Sequence, residues 1–118
     1  MPKPHVLIVE DDPRLNEIIS ITLQNDFNLE ACKDGSAALE RLKTSVPDIV
    51  VLDLNLPGIS GVELLAHIRS DTKLTNTRVI LATADERQAE TLIDEADIIL
   101  LKPVSPAQLR ELALRISK

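Results

Sequence analysis

Short apolar runs alternate with stretches of helical periodicity along the whole chain. The segment "HVLIVE" (5–10) predicts a first strand, and residues 13–25 predict a helix, with Pro13 early and Leu15, Ile18, Ile19, Thr22 and Leu23 at helical spacing. Asn28–Cys32 predicts a short second strand and Gly35–Thr44 a helix with Leu39 and Leu42 facing in. Residues 48–53 ("DIVVLD") predict a third strand whose Ile-Val-Val-Leu run is apolar on both faces, as a central parallel strand requires. Gly61–Ser70 reads as a third helix, 77–82 ("TRVILA") as a fourth strand, and 85–95 as a weakly amphipathic, acid-rich fourth helix. Ile98–Leu101 completes the strands. The chain closes on a helix over 105–117, where Ser105 before Pro106 supplies an N-cap and a proline at the first position.

Strictly alternating strand and helix predicts an α/β fold: a parallel sheet with helices on both faces. Crossovers between parallel strands are right-handed, so the sheet is doubly wound. With no internal repeat, low-complexity tract or linker, residues 1–118 are expected to form a single domain, with no effector domain in this chain. Ligands of such folds bind outside the carboxyl ends of the strands, where strand order reverses.

The residues at those ends form a pattern. The first strand ends in Glu10, Asp11 and Asp12, the third in Asp53, the fourth in Thr83, and the fifth in Lys102 followed by Pro103. Each has a plainer account on its own. Asp12 before Pro13 suits an N-cap, a threonine often closes a strand, and Lys-Pro often marks only a turn. Together they bring acids, a hydroxyl and a lysine to one sheet edge. Clustered carboxylates without His or Cys select a hard, oxygen-seeking cation, with Mg2+ the cellular default. An aspartate beside that cation can attack phosphorus and form an acyl phosphate. A lysine and a hydroxyl suit the phosphoryl oxygens, and phosphoryl transfer needs mainly positioning and charge neutralisation.

Composition narrows the field. Phe27 is the only aromatic, so the core is built from Leu, Ile, Val and Ala, and the scarcity argues against stacking platforms for bases or flavins. Net charge is −6 and the 13 basic residues are scattered, which argues against direct nucleic-acid binding. Apolar runs are strand-sized, far short of a membrane span, and the N-terminus has no signal-peptide core. Cys32 is alone, so no disulfide framework exists, and a buried thiol in a reducing cytoplasm is expected.

Four pieces of the chain carry a resemblance: "VLIVEDDP" (6–13), "DIVVLDLNLPGISG" (48–61), "VILATA" (79–84) and "ADIILLKPV" (96–104). Taken together they resemble the receiver domain of two-component response regulators over essentially all 118 residues. The resemblance implies the flavodoxin-like strand order 2-1-3-4-5. It implies that Asp53 accepts a phosphoryl group from a sensor histidine kinase or phosphotransfer protein. Asp11 would bind Mg2+ directly, Glu10 would act at or near the ion through water, and Asp53 and the Asn55 main-chain carbonyl would complete the ligands. Thr83 and Lys102 would contact the phosphoryl oxygens, and the Lys102–Pro103 bond would be cis. The turn at Pro57-Gly58 would start a mobile loop over the site. Such a module catalyses only its own phosphorylation and dephosphorylation, and switches affinity for a downstream partner, dimerisation included.

The chain departs from the family pattern at two positions. Ile99 stands where receivers usually carry Tyr or Phe in the fifth strand, and Glu95 stands where Gly commonly precedes Ala-Asp. Ile99 has no ring to flip, which makes a degenerate receiver, binding partners without phosphorylation, the serious rival. Glu95 predicts a fourth helix with a different end. Asn55 and Asp85, two beyond the acceptor and two beyond the threonine, occupy the positions that tune acyl-phosphate lifetime; both are small and polar, which predicts modest shielding. A dehalogenase-like phosphatase is disfavoured because it needs an acid where Asn55 stands. A flavin carrier would need a Ser/Thr-rich loop in place of "EDDPR" (10–14). His5 and His67 are expected to be peripheral, with His5 facing solvent, and Asp94, Glu95 and Asp97 to form a solvated acidic face.

Overall fold

A computed structural model describes residues 2–117. Five strands, β1 (His5–Val9), β2 (Asn28–Cys32), β3 (Ile49–Asp53), β4 (Arg78–Thr83) and β5 (Ile98–Leu101), pair in parallel in the order β2-β1-β3-β4-β5. The helices are α1 (Pro13–Leu23), α2 (Gly35–Thr44), α3 (Gly61–Ser70), α4 (Glu86–Thr91) and α5 (Pro106–Ile116). The expected doubly wound α/β sheet is therefore the fold observed.

Side-chain alternation along the strands divides the core. Val6 and Ile8 of β1, with Ile49 and Val51 of β3, pack against Ile19 and Leu23 of α1 and Leu109 and Ala113 of α5. Leu7 and Val9, with Val50 and Leu52, face the opposite layer, which holds Ala38 and Leu42 of α2 and Leu64, Leu65 and Ile68 of α3. Phe27 is buried in the first layer. All five residues of β3 are buried, as its unbroken apolar run requires.

Every helix opens on a side-chain cap. Asp12, Asp34, Ser60, Asp85 and Ser105 each accept a main-chain N–H from the first turn that follows. Each such cap is worth about 1 kcal/mol. The caps also hold the loops at the C-terminal edge of the sheet in register with the helices.

Some boundaries differ from the expected ones. β1 stops at Val9, and Glu10 turns out of the ladder while its N–H still donates to the Cys32 carbonyl at 3.1 Å. α1 stops at Leu23 because Asp26 and Phe27 fold back, both donating to the Leu23 carbonyl, which carries Phe27 inward. Ile18 points away from the core and is 41% exposed. β4 extends through Thr83, which pairs with Leu101. α4 is six residues rather than eleven and ends at Leu92 (φ −113°, ψ 7°). Its last turn has no basic residue, and Asp94 and Glu95 follow, so the negative end of the helix meets like charge. A 3-10 turn at Thr72–Leu74, not anticipated from the sequence, leads into β4.

Candidate phosphoacceptor and cation site

Strand register assembles the site. β1 and β3 are neighbours with Val9 level with Leu52, so one step further along brings Glu10 level with Asp53. On the other side Asp53 pairs with Ala82, and Thr83 pairs with Leu101, which puts Thr83 and Lys102 at the same edge. The Lys102 N–H donates to the Thr83 carbonyl at 2.9 Å, locking that end of β5 to β4. The Lys102–Pro103 peptide bond is cis.

Two glycines shape the approach to Asp53. Gly58 has φ +73°, the left-handed region that favours glycine, and it turns the chain after Pro57. Gly61, at the start of α3, lies so close to β3 that a Cβ would overlap the Asp53 carbonyl oxygen and the Leu54 Cα. The helix can seat against the acceptor strand only without a side chain there.

Glu10, Asp11 and Asp53 each offer a carboxylate oxygen, and the three lie within 4.8 Å of one another. Glu10 and Asp53 are buried, whereas Asp11 is exposed. Lys102 Nζ lies 3.1 Å from Glu10 Oε1 and 3.4 Å from Asp53 Oδ2. Both contacts pair the lysine ammonium with a buried carboxylate. The other Glu10 oxygen accepts the Asp12 N–H at 3.1 Å. Asp53 Oδ1 accepts the Asn55 N–H at 3.1 Å.

Burial pushes Glu10 up to about 7, an effect the Asp53 charge reinforces and the Asp12 N–H and Lys102 oppose. Burial acts to lower the Lys102 pKa, yet the contacts with Glu10 and Asp53 outweigh it and the pKa is raised. The lysine therefore stays cationic. Three oxygen donors and no sulfur or imidazole fit a hard divalent cation such as Mg2+. The cluster could hold one.

The remaining expected residues are placed as follows. Thr83 is fully buried, and its hydroxyl accepts the Asp85 N–H at 3.0 Å. Asp85 is exposed, and its carboxylate caps α4 by accepting from Arg87 and Gln88. Asn55 is exposed beside Asp53. Ile99 is half-buried and packs on the core layer that holds α2 and α3.

Of the peripheral expectations, the one for His5 changes, while His67 and Asp97 keep their expected exposure. His5 is half-buried rather than solvent-facing, because its Nε2 sits 3.3 Å from Glu30, which also pairs with Arg41. His67 is half-buried on α3, 3.8 Å from Asp71, away from the strand ends. Asp97 is exposed, as expected, but its carboxylate is also engaged: Oδ2 accepts the Val79 N–H at 2.7 Å and pairs with Arg69 at 2.9 Å, and Oδ1 pairs with Arg78 at 3.3 Å. One residue near the site was missed. Asn16 is buried on α1, and its amide reaches the Glu10 carbonyl; the only signal in the sequence was its place on the same helical stripe as Ile19 and Leu23.

The chain matches the family model of the response regulator receiver domain over residues 6–114. It is 32% identical over 111 residues to the DNA-binding response regulator MtrA of Mycolicibacterium smegmatis, covering 91% of this chain and 47% of that protein. It is also 32% identical over 108 residues to the phosphate regulon transcriptional regulatory protein PhoB of Escherichia coli, covering 88% and 47%. The chain thus spans about half the length of these curated relatives. Among solved structures, the receiver domain of the Francisella response regulator 1452 superposes with a TM-score of 0.86 at 28% identity, covering 98% and 97%.

This chain belongs to the receiver-domain family of two-component response regulators. Receiver domains are signalling modules of two-component systems rather than enzymes in the ordinary sense. Among the described residues no helix is long and apolar enough to cross a membrane.

Proposed function

We propose that Asp53 is a phosphoacceptor, taking a phosphoryl group from a phosphohistidine of a sensor kinase or phosphotransfer protein. The observation that carries this reading is the buried Asp53 carboxylate held 3.4 Å from Lys102 within a cluster of three acids at the sheet edge. An Asp53 oxygen attacks phosphorus, the N–P bond of the donor histidine breaks, and an acyl phosphate forms on Asp53. Lys102 offsets the charge gathered on the phosphoryl oxygens, and Thr83 offers a hydroxyl to one of them. Glu10, Asp11, Asp53 and the Asn55 main-chain carbonyl would hold Mg2+, which when bound supplies further neutralisation of that charge.

On this reading residues 1–118 act as one receiver module that changes affinity for a downstream partner. The partner is another protein, an attached effector or a second copy of the chain. Direct nucleic-acid binding by this chain does not fit its charge of −6. A lone buried thiol, Cys32, suits a reducing compartment, and the reading places the chain in the cytoplasm.

Ile99 favours one rival, a degenerate receiver that binds partners without being phosphorylated, because it has no ring to reorient. Intact mass separates the two. After incubation with a small-molecule phosphodonor and Mg2+, the wild type should gain one phosphoryl group. Asp53→Asn, and the wild type in chelator, should gain none. No gain in the wild type, beside a receiver that is modified under the same conditions, would support the rival.

A further inference from the structure

Asn16 lies inward on α1, in line with Ile19 and Leu23, and is only 6% exposed. A primary amide is costly there unless its hydrogens find acceptors. Both do. Asn16 Nδ2 donates to the Glu10 carbonyl at 2.9 Å and to the Cys32 carbonyl at 3.1 Å, the points where the chain leaves β1 and β2. The Asn16 main-chain N–H donates to the Asp12 carbonyl at 2.9 Å. The Asn16 side chain thus holds the chain just before Asp11, and the ordinary first-turn helix bond holds it just after.

Asp11 needs such a grip. It is exposed, and among the described residues no donor reaches its carboxylate. It nevertheless shares a 4.8 Å cluster with Glu10 and Asp53, whose charges repel it. Lys102 counters Glu10 and Asp53, but Asp11 has no ion pair of its own among the described residues. Backbone held from both flanks keeps the Asp11 carboxylate in the cluster before any cation arrives.

We propose that Asn16 is a positioning residue for the divalent cation: by tying the Glu10 carbonyl to the end of β2 through its side-chain amide it presets the turn bearing Asp11, and so sets cation affinity. This rests on the Mg2+ reading of the cluster. Groups one step behind metal ligands typically change affinity by about 10–100-fold. A leucine of similar volume would leave the Glu10 carbonyl without the amide donor and the Cys32 carbonyl with only the Glu10 N–H, and an aspartate would aim an acceptor at both.

The test is a titration of the full chain with Mn2+, followed by the electron paramagnetic resonance signal of the free ion, with displacement by Mg2+. Asn16→Ala should weaken binding by about tenfold or more. Ile19→Ala, on the same stripe but touching no part of the turn, should lose at least as much folding stability and keep wild-type affinity. Equal affinity in the wild type and Asn16→Ala, or a matching loss in Ile19→Ala, overturns the positioning role while leaving the cation site standing. A wild type that binds no Mn2+ overturns the cation reading itself, and this inference with it. Should Asn16→Ala not fold, Asn16→Ser keeps one donor; an affinity below wild type supports the role, and an unchanged affinity overturns it.

Discussion

Lys102 Nζ rests 3.1 Å from Glu10 Oε1, joining the end of β5 to the end of β1 across two intervening strands. The contact gives Lys102 a role besides the phosphoryl contact proposed for it. It is also the counter-charge for buried carboxylates when no cation is bound.

Lys102→Met should therefore lower stability most in chelator. Removing one partner of a buried pair costs about 3–5 kcal/mol, but Lys102 is 24% exposed, so about 1–3 kcal/mol is expected. Excess Mg2+ should restore part of this, because a ligand of the folded state alone stabilises it. Urea unfolding read by circular dichroism suits a chain without Trp or Tyr. An equal loss with and without Mg2+ would count against the counter-charge role.

Gly61→Ala tests the seating of α3 on the acceptor strand. The new methyl meets backbone atoms of Asp53 and Leu54, which cannot swing aside as a side chain can. Overpacking of this kind costs about 1–3 kcal/mol. Phosphoryl uptake should fall more than the folded fraction does, since the displaced atoms belong to Asp53. Intact mass beside circular dichroism reads both, and uptake that merely tracks folding would point away from a displaced acceptor.

Asp97→Ala should destabilise by about 1–3 kcal/mol, since it strands the buried Val79 N–H and removes the acceptor for Arg69 and Arg78. Asp94→Ala, three residues earlier and exposed, should stay within about 0.5 kcal/mol. Equal effects in denaturant unfolding would return Asp97 to the solvated face.

Burial raises the Cys32 thiol above its usual 9.0. The folded state therefore holds its proton more tightly than the unfolded one. Its contribution to stability is present below pH 9 and is lost as pH rises through the folded-state value. Native protein at pH 8 should react with iodoacetamide far more slowly than unfolded protein. Similar rates in the two states would show that the thiol is accessible.

If Asp53 accepts a phosphoryl group as proposed, Asn55 and Asp85 occupy the positions that would tune how long the acyl phosphate survives. Both are exposed, and Asp85 is committed to capping α4, so neither lays bulk over Asp53. The acyl phosphate should decay in minutes with Mg2+ present, followed by loss of the added mass. Survival for many hours would show that other groups exclude water.

The alternating elements, the caps at Asp12 and Ser105 and the residues at the strand ends were readable because local patterns carry them. The strand order came from the family resemblance, and the caps at Asp34, Ser60 and Asp85 only from the structure. Apolar runs mark strands, helical spacing marks helices, and the crossover rule then leaves few ways to arrange alternating elements. Glu10, Asp11, Asp53, Thr83 and Lys102 could be nominated because a strand's end delivers its next side chain to a known edge. What the linear order could not decide was which groups are spent on structure. Asp97 and Asp94 look alike in sequence and both are exposed, and only the approach of Arg69, Arg78 and the Val79 N–H makes one of them a structural strut. Asn16 looks like a surface polar residue until β1 and β2 bring two carbonyls under α1. Hydrogen-bond partners far apart in the chain come from packing between elements, and periodicity within an element holds no record of them.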